Sequence, residues 1–121
     1  MARILFVDDD PYTLETLTKA VQIFGHQALL AGNGQDALVL AAEQSPDLIF
    51  LDMSLPDMDG IDLTGLLIAQ ESTAHIPVLI LSAGPEADAG EQAKAAGARA
   101  YLSKPIRLQT LLDAIQEYAA Q

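Results

Sequence analysis

Uninterrupted apolar runs alternate with helically spaced apolar positions along the whole chain. Leu48, Ile49, Phe50 and Leu51 stand in a row within residues 46–60, PDLIFLDMSLPDMDG, and run straight into Asp52. A run with no polar alternation suits a strand buried on both faces, as in a parallel sheet covered by helices. Pro46 and Pro56 leave too little room for the competing reading, a buried helix segment. Such a strand stops where the sheet stops. Asp52 is therefore expected at the carboxyl edge, where open α/β sheets hold their ligands.

Ile4, Leu5, Phe6 and Val7 form a second run of this kind and lead into Asp8, Asp9 and Asp10. Three adjacent acids are poor as continued strand. Asp10 followed by Pro11 predicts a helix start, with Asp10 as cap and Pro11 at the first helical position. Leu14, Leu17, Val21 and Phe24 recur at helical spacing, with Thr18 on the same face and Gly25 as the stop. Residues 26–31 predict a short strand centred on Ala28, Leu29 and Leu30, and Gly32, Asn33 and Gly34 a turn. Asn33 with Asp36 resembles a capping box. Ala37, Leu38, Leu40 and Ala41 continue as a helix that ends before Pro46.

Beyond the central run, Ile61, Leu63, Leu66 and Leu67 predict a third helix, in which Gly65 would mark close packing. Val78, Leu79, Ile80 and Leu81 predict a fourth buried strand ending at Ser82, with Ala83, Gly84 and Pro85 as loop. Residues 88–96 predict an alanine-rich helix without a large apolar side chain, expected to be the thinnest and most adjustable of the five. Gly97 ends it. Ala100, Tyr101 and Leu102 predict a fifth strand, followed by Ser103, Lys104 and Pro105. Leu108, Leu111, Leu112, Ile115 and Tyr118 give the clearest amphipathic helix. Five strand–helix pairs with short connections make an α/β sandwich with a parallel sheet, its crossovers right-handed. The expectation is one domain over residues 1–121, with no linker or tandem repeat.

Composition narrows the function. The 121 residues are half hydrophobic, enough for a real core and too apolar for a disordered chain. No cysteine is present, which removes disulfides, thiolate chemistry and Cys-built metal sites. The formal charge of −11, from 17 acids against 6 bases, argues against a broad nucleic-acid-binding surface. The amino-terminal apolar run is too short for a signal peptide, and no stretch reaches the length of a membrane span. A cytoplasmic location is the expectation.

The order of the polar residues says more than their number. The first strand ends in Asp8 and Asp9, the third in Asp52, the fourth in Ser82 and the fifth at Lys104. In a parallel sheet these ends lie on one edge, so three carboxylates, a hydroxyl and an ammonium converge. Singly, each has a bland reading: a helix cap, a loop-capping hydroxyl, a solvated base. Three close carboxylates repel unless a proton or cation offsets them. Hard oxygen ligands without nearby His or Cys point to Mg²⁺ or Mn²⁺, and Mg²⁺ readily shares its coordination with a phosphoryl oxygen. Lys104 and Ser82 can contact further phosphoryl oxygens, and Asp52 is the plausible nucleophile. His26 and His75 are expected to be surface residues remote from this edge.

On these residues the chain resembles the receiver domains of two-component response regulators, over nearly its whole length. The resemblance rests on the acidic pair Asp8 and Asp9, the LDMSLPDMDG segment at Asp52, Ser82 followed by Ala83, and Lys104 followed by Pro105. It implies a flavodoxin-like (βα)5 fold with strand order 2-1-3-4-5. It implies that Asp52 accepts a phosphoryl group from a phosphohistidine, and that Mg²⁺ is held by Asp8, Asp9, Asp52 and the Ser54 carbonyl. It further implies that Ser82 and Tyr101 are the switch residues, that Lys104 pairs with the phosphoryl oxygens, and that the Lys104–Pro105 peptide is cis. Pro56 and Gly60 would shape the loop after the acceptor.

Met53, Ser54 and Gly84 stand where receivers vary and set rates. Small side chains at 54 and 84 predict open access for the phosphodonor and little side-chain help to hydrolysis. The implied partners are a sensor histidine kinase or histidine phosphotransfer protein, and a downstream protein on the fourth helix, fifth strand and fifth helix. Neither nucleic acid nor membrane is an expected direct partner. A fourth helix without large apolar residues argues for a monomer or weak dimer. Chemistry is expected to stop at self-phosphorylation and autodephosphorylation. The rival readings are a docking module that never takes phosphate and, further off, a phosphoryl-cleaving enzyme with an aspartyl intermediate; the latter lacks a segment for a cap.

Overall fold

The computed structural model describes residues 2–83 and 87–119. The strands are β1 (Arg3–Val7), β2 (Gln27–Ala31), β3 (Leu48–Asp52), β4 (Val78–Ser82) and β5 (Ala100–Ser103). The helices are α1 (Pro11–Ile23), α2 (Gly34–Gln44), α3 (Gly60–Ala69), α4 (Ala87–Ala96) and α5 (Leu108–Ala114), the last continued by a π-helical segment, Ile115–Ala119. All strands pair in parallel, in the order β2-β1-β3-β4-β5. This is the flavodoxin-like arrangement that the resemblance implied.

The apolar runs are buried on both faces because their alternation serves two cores. Leu5, Val7, Ile49, Leu51 and Ile80 point to one side, where Ala37 and Ala41 of α2, Leu63 and Leu67 of α3 and Ala93 of α4 cover them. Ile4, Phe6, Leu48, Phe50, Leu79 and Leu81 point to the other, against Leu17 and Val21 of α1 and Leu111 and Ile115 at the carboxyl end. Phe6 and Phe50 are register partners, and their rings stack with centroids 5.5 Å apart. Each fully buried large aliphatic or aromatic side chain contributes about 1.5–3 kcal/mol.

Local chemistry sets the boundaries. Asp10 caps α1 by accepting the Tyr12 N–H, with Pro11 in the first turn. Gly25 takes φ +85° just past its end, a conformation free of strain only for glycine. Asn33 caps α2 through the Asp36 N–H, and its side-chain amide donates to the Asp36 carboxylate, so half of the capping box forms and a side-chain pair stands where the return bond to the Asn33 backbone was expected.

Several expected contacts differ. Phe24, Leu66 and Leu108 keep the helical spacing but are 51%, 46% and 50% exposed. The buried stripes are narrower, and small or polar residues complete them: Thr64 is fully buried, its hydroxyl donating to the Gly60 carbonyl. Gly65 does not mark close packing, since a Cβ there would meet nothing within 4 Å. His26 is half-buried, and its Nδ1 accepts the Ala2 N–H at 3.0 Å; His75 is exposed.

Candidate functional site: an acidic edge at the carboxyl ends of the strands

The sheet pins the backbone of the expected site residues. Its ladder runs one residue past the strand ends: the Asp8 N–H donates to the Ala31 carbonyl at 3.1 Å, Met53 to Leu81 at 2.9 Å, and Lys104 to Ser82 at 2.8 Å. Asp52 is the last residue of β3 and lies opposite Leu81 of β4. Residues remote in sequence thus share one edge.

Their side chains converge as well. One carboxylate oxygen each from Asp8, Asp9 and Asp52 lie within 4.8 Å of one another. Asp8 is buried, Asp52 half-buried and Asp9 exposed, so the cluster opens to solvent on one side. Lys104 Nζ donates to Asp8 Oδ2 at 2.9 Å and sits 3.2 Å from Asp52 Oδ1. Asp8 Oδ1 accepts the Asp10 N–H at 2.9 Å, which ties the acidic pair to the start of α1.

Three formal negative charges here face one positive charge. Burial pushes the Asp52 carboxyl above its ordinary range, and the Lys104 ammonium pulls it back only in part. Burial alone would lower Lys104, but the hydrogen bond to Asp8 and the charge of Asp52 outweigh it, and its pKa is raised. An all-oxygen donor set with surplus negative charge and one open side fits a hard divalent cation that keeps some of its water. Neither histidine belongs to the cluster.

Ser82 closes β4 at 8% exposure, and Ala83 beyond it is exposed. Gly84 lies outside the described residues. Ser54 is exposed and Met53 half-buried against the core that α3 covers. The Lys104–Pro105 bond is cis, as the resemblance implied. Tyr101 packs against the core that α3 and α4 cover, and its buried hydroxyl has no hydrogen-bond partner among the described residues. A groove lined by Tyr12, Thr13, Leu81, Ala83, Lys104 and Pro105 runs beside the cluster.

The loop between β3 and α3 is closed on itself. Ser54 and Asp59 form an antiparallel bridge, the Leu55 N–H donates to the Met58 carbonyl at 3.2 Å, and the Gly60 N–H to the Met53 carbonyl at 2.6 Å. Pro56 is exposed at its tip. Gly60 is required by proximity: a Cβ there would stand 2.8 Å from the Asp52 carbonyl oxygen and 2.8 Å from Leu51 Cδ1. Asp59 caps α3 through the Asp62 N–H. Two contacts were not foreseen. Asp57 accepts the Gly34 and Gln35 N–H groups, and Met58 lies against Gly34. No periodicity or motif singles them out, because they depend on two loops meeting in space.

A parallel five-stranded sheet with an acidic trio and a lysine at its carboxyl edge defines a phosphoacceptor type of signalling domain. Residues 4–116 match the response regulator receiver domain, and the chain belongs to that family, the receiver domains of two-component systems. It is 38% identical to protein PilH of Pseudomonas aeruginosa over 120 residues, 99% of each chain. The chemotaxis protein CheY4 of Vibrio cholerae superposes with a TM-score of 0.91 at 29% identity, over 98% of each chain. The receiver domain of the sensor histidine kinase PA1611 of Pseudomonas aeruginosa, solved with a magnesium ion coordinated in its active-site cleft, gives 0.89 at 28% identity. It is covered over 98% of its length and covers 99% of this chain. Among the described residues, no helix is long and apolar enough to cross a membrane.

Proposed function

We propose that residues 1–121 act as one receiver domain in which Asp52 takes a phosphoryl group from a phosphohistidine. In the transfer the donor's N–P bond breaks, a bond forms between phosphorus and an Asp52 carboxylate oxygen, and the imidazole is released to take up a proton. Mg²⁺, or Mn²⁺, would be held by Asp8, Asp9 and Asp52 with the Ser54 carbonyl, and when bound it neutralises charge on the acids and the phosphoryl oxygens. Lys104 holds a phosphoryl oxygen as a point charge, and the Ser82 hydroxyl donates to another.

The observation that carries this reading is the convergence of Asp8, Asp9 and Asp52 oxygens within 4.8 Å, with Lys104 Nζ 3.2 Å from Asp52. The groove beside Lys104 and the small side chain of Ser54 leave the acceptor open to its donor, a sensor histidine kinase or histidine phosphotransfer protein. Phosphorylation favours the state in which Ser82 and Tyr101 are drawn inward, and a downstream protein reads the face formed by α4, β5 and α5. The reaction is placed in the cytoplasm and consists of self-phosphorylation and autodephosphorylation. Met53, Pro56, Gly60, Ala83 and Pro105 shape the site without taking part in the chemistry.

The test is intact mass after incubation with a small phosphodonor such as phosphoramidate. The chain should gain one phosphoryl group with Mg²⁺ and none with chelator, and Asp52→Asn should gain none. Full labelling of Asp52→Asn, or labelling indifferent to chelator, would overturn the assignment.

A further inference from the structure

The β3–α3 loop carries the Ser54 carbonyl, and its footing lies outside the acidic cluster. Asp57 grips the start of α2 with both carboxylate oxygens: Oδ1 accepts the Gly34 N–H at 2.8 Å and Oδ2 the Gln35 N–H at 2.9 Å. These are two of the amides a helix leaves without an internal partner at its amino end, where negative charge is favoured. Asn33 takes the next one, from Asp36, so Asp57 completes the capping of a helix on which it does not reside. The two backbone hydrogen bonds hold the Asp57 carboxyl below its ordinary range, so the grip is ionic at neutral pH.

The adjacent residue adds a second attachment. Met58 lies so close to Gly34 that a Cβ there would fall 2.5 Å from Met58 Sδ and 2.6 Å from its Cγ. Glycine at the first position of α2 therefore makes room for the loop. α2 is itself anchored, since Ala37 and Ala41 are fully buried. The loop between the two attachments and Ser54 is short and closed by the Ser54–Asp59 bridge and the Leu55–Met58 hydrogen bond. A loop so constrained cannot shift at Asp57 and stay fixed at Ser54.

We infer that Asp57 is a positioning residue: by clasping the first turn of α2 it fixes the loop that presents the Ser54 carbonyl to the cation site. The inference rests on the cation site proposed above. A helix cap with no further role would lower stability when lost and leave the cation affinity of the folded chain untouched. A positioning residue changes that affinity because one ligand is no longer held in place.

The experiment is a calorimetric titration with MgCl₂, paired with amide hydrogen exchange, on the wild type, Asp57→Ala, Asp57→Asn and Asp36→Asn. In Asp57→Ala the Gly34 and Gln35 amides should exchange faster and Mg²⁺ should bind about tenfold more weakly, the usual cost of losing a group that orients a ligand. Asp57→Asn gives up the charge and the two-oxygen grip but keeps one acceptor, and should fall between; it also carries the comparison if the alanine variant does not fold. Asp36→Asn removes the same charge from the same helix end without touching the loop and should bind Mg²⁺ as the wild type does. Equal Mg²⁺ affinity in the wild type and both Asp57 variants would overturn the proposal. So would an Asp36→Asn loss as large as that of Asp57→Ala. A wild type that binds no Mg²⁺ would remove the site and the proposal together, whereas binding indifferent to Asp57 would remove the proposal alone.

Discussion

Lys104 follows β5 and Asp8 follows β1, and two strands lie between them in the sheet, yet Lys104 Nζ meets Asp8 Oδ2 at 2.9 Å. The lysine spans the ends of β4 and β3 to reach the acid and passes Asp52 at 3.2 Å on the way. One flexible side chain thus ties opposite parts of the edge together and partly offsets the charge gathered there.

Replacing Lys104 with Met should expose what that tie contributes. Asp8, 5% exposed at its side chain, would lose its cation. Breaking a fully buried pair costs about 3–5 kcal/mol; with Lys104 itself 23% exposed, about 1–2 kcal/mol is expected, read from urea unfolding at neutral pH. The difference should also depend on pH. The Lys104 pKa is raised in the folded chain, so its contribution is complete below the unfolded value of about 10.4 and is lost as pH rises through the folded value. The gap between wild type and variant should therefore close at strongly alkaline pH and stay open at pH 7. Phosphorylation by a small donor should slow about a hundredfold, as for loss of one preorganised charge donor.

Asp52→Asn should abolish phosphorylation and stabilise the metal-free chain. Burial raises the Asp52 pKa, so the folded state favours the protonated carboxyl and loses stability as pH rises through that value. An uncharged amide of the same shape avoids this, and the melting temperature without Mg²⁺ should rise by about 2–5 °C. Added Mg²⁺ should raise the melting temperature of the wild type more than that of the variant, because a ligand stabilises only the state that binds it.

How much of this could be read from the chain follows from what each feature depends on. The strands were legible because a two-sided core demands apolar residues without interruption, and Leu48 through Leu51 supply them. The convergence of Asp8, Asp52 and Lys104 was legible because parallel pairing puts every carboxyl end on one edge. The strand order was not; it came from resemblance, since alternating elements fit several orders. Helix faces were read too widely at Phe24, Leu66 and Leu108, because periodicity cannot tell a core stripe from its margin. The hold of Asp57 on α2 was invisible, since an acid in a loop has no partner until the loop is placed against another element.

Gly60→Ala and Gly34→Ala should separate two kinds of crowding. At Gly60 the added methyl meets the Asp52 carbonyl and, at 3.0 Å, the Met53 Cα, and neither backbone atom can move without moving the acceptor. A loss of about 2–3 kcal/mol is expected, with phosphorylation slowed in the fraction that folds. At Gly34 the three atoms nearest the methyl all belong to the flexible Met58 side chain, and alanine favours the helix, so the net change should stay within about 1 kcal/mol. Urea midpoints of the two variants give the comparison directly.

Ser54→Asn should shorten the life of the acyl phosphate. Ser54 is exposed beside the acceptor and has no amide with which to orient an attacking water. An asparagine there supplies both a donor and an acceptor at the mouth of the site, and positioning a nucleophile is worth more than its bulk costs. Decay of the phosphorylated mass in the wild type and the variant gives the two rates; equal rates would remove Ser54 from the residues that set them.

Tyr101→Phe should stabilise the unphosphorylated chain. The ring packs against the core beneath α3 and α4, but its hydroxyl is buried with no hydrogen-bond partner among the described residues. Leaving a hydroxyl dry and unpaired costs about 1–3 kcal/mol, and removing it keeps the ring contacts that hold it inward. Part of that cost is relieved whenever the ring turns out to solvent, so the hydroxyl is also what keeps an outward state within reach. Phenylalanine should therefore raise the urea midpoint by an amount worth about 1 kcal/mol and hold residue 101 inward before phosphorylation. Proton NMR of the ring in both chains reads the second effect: a single inward set of shifts is expected for Phe, and exchange broadening for Tyr. A variant less stable than the wild type would mean that the hydroxyl has a partner in solution, and the outward state would then need another cause.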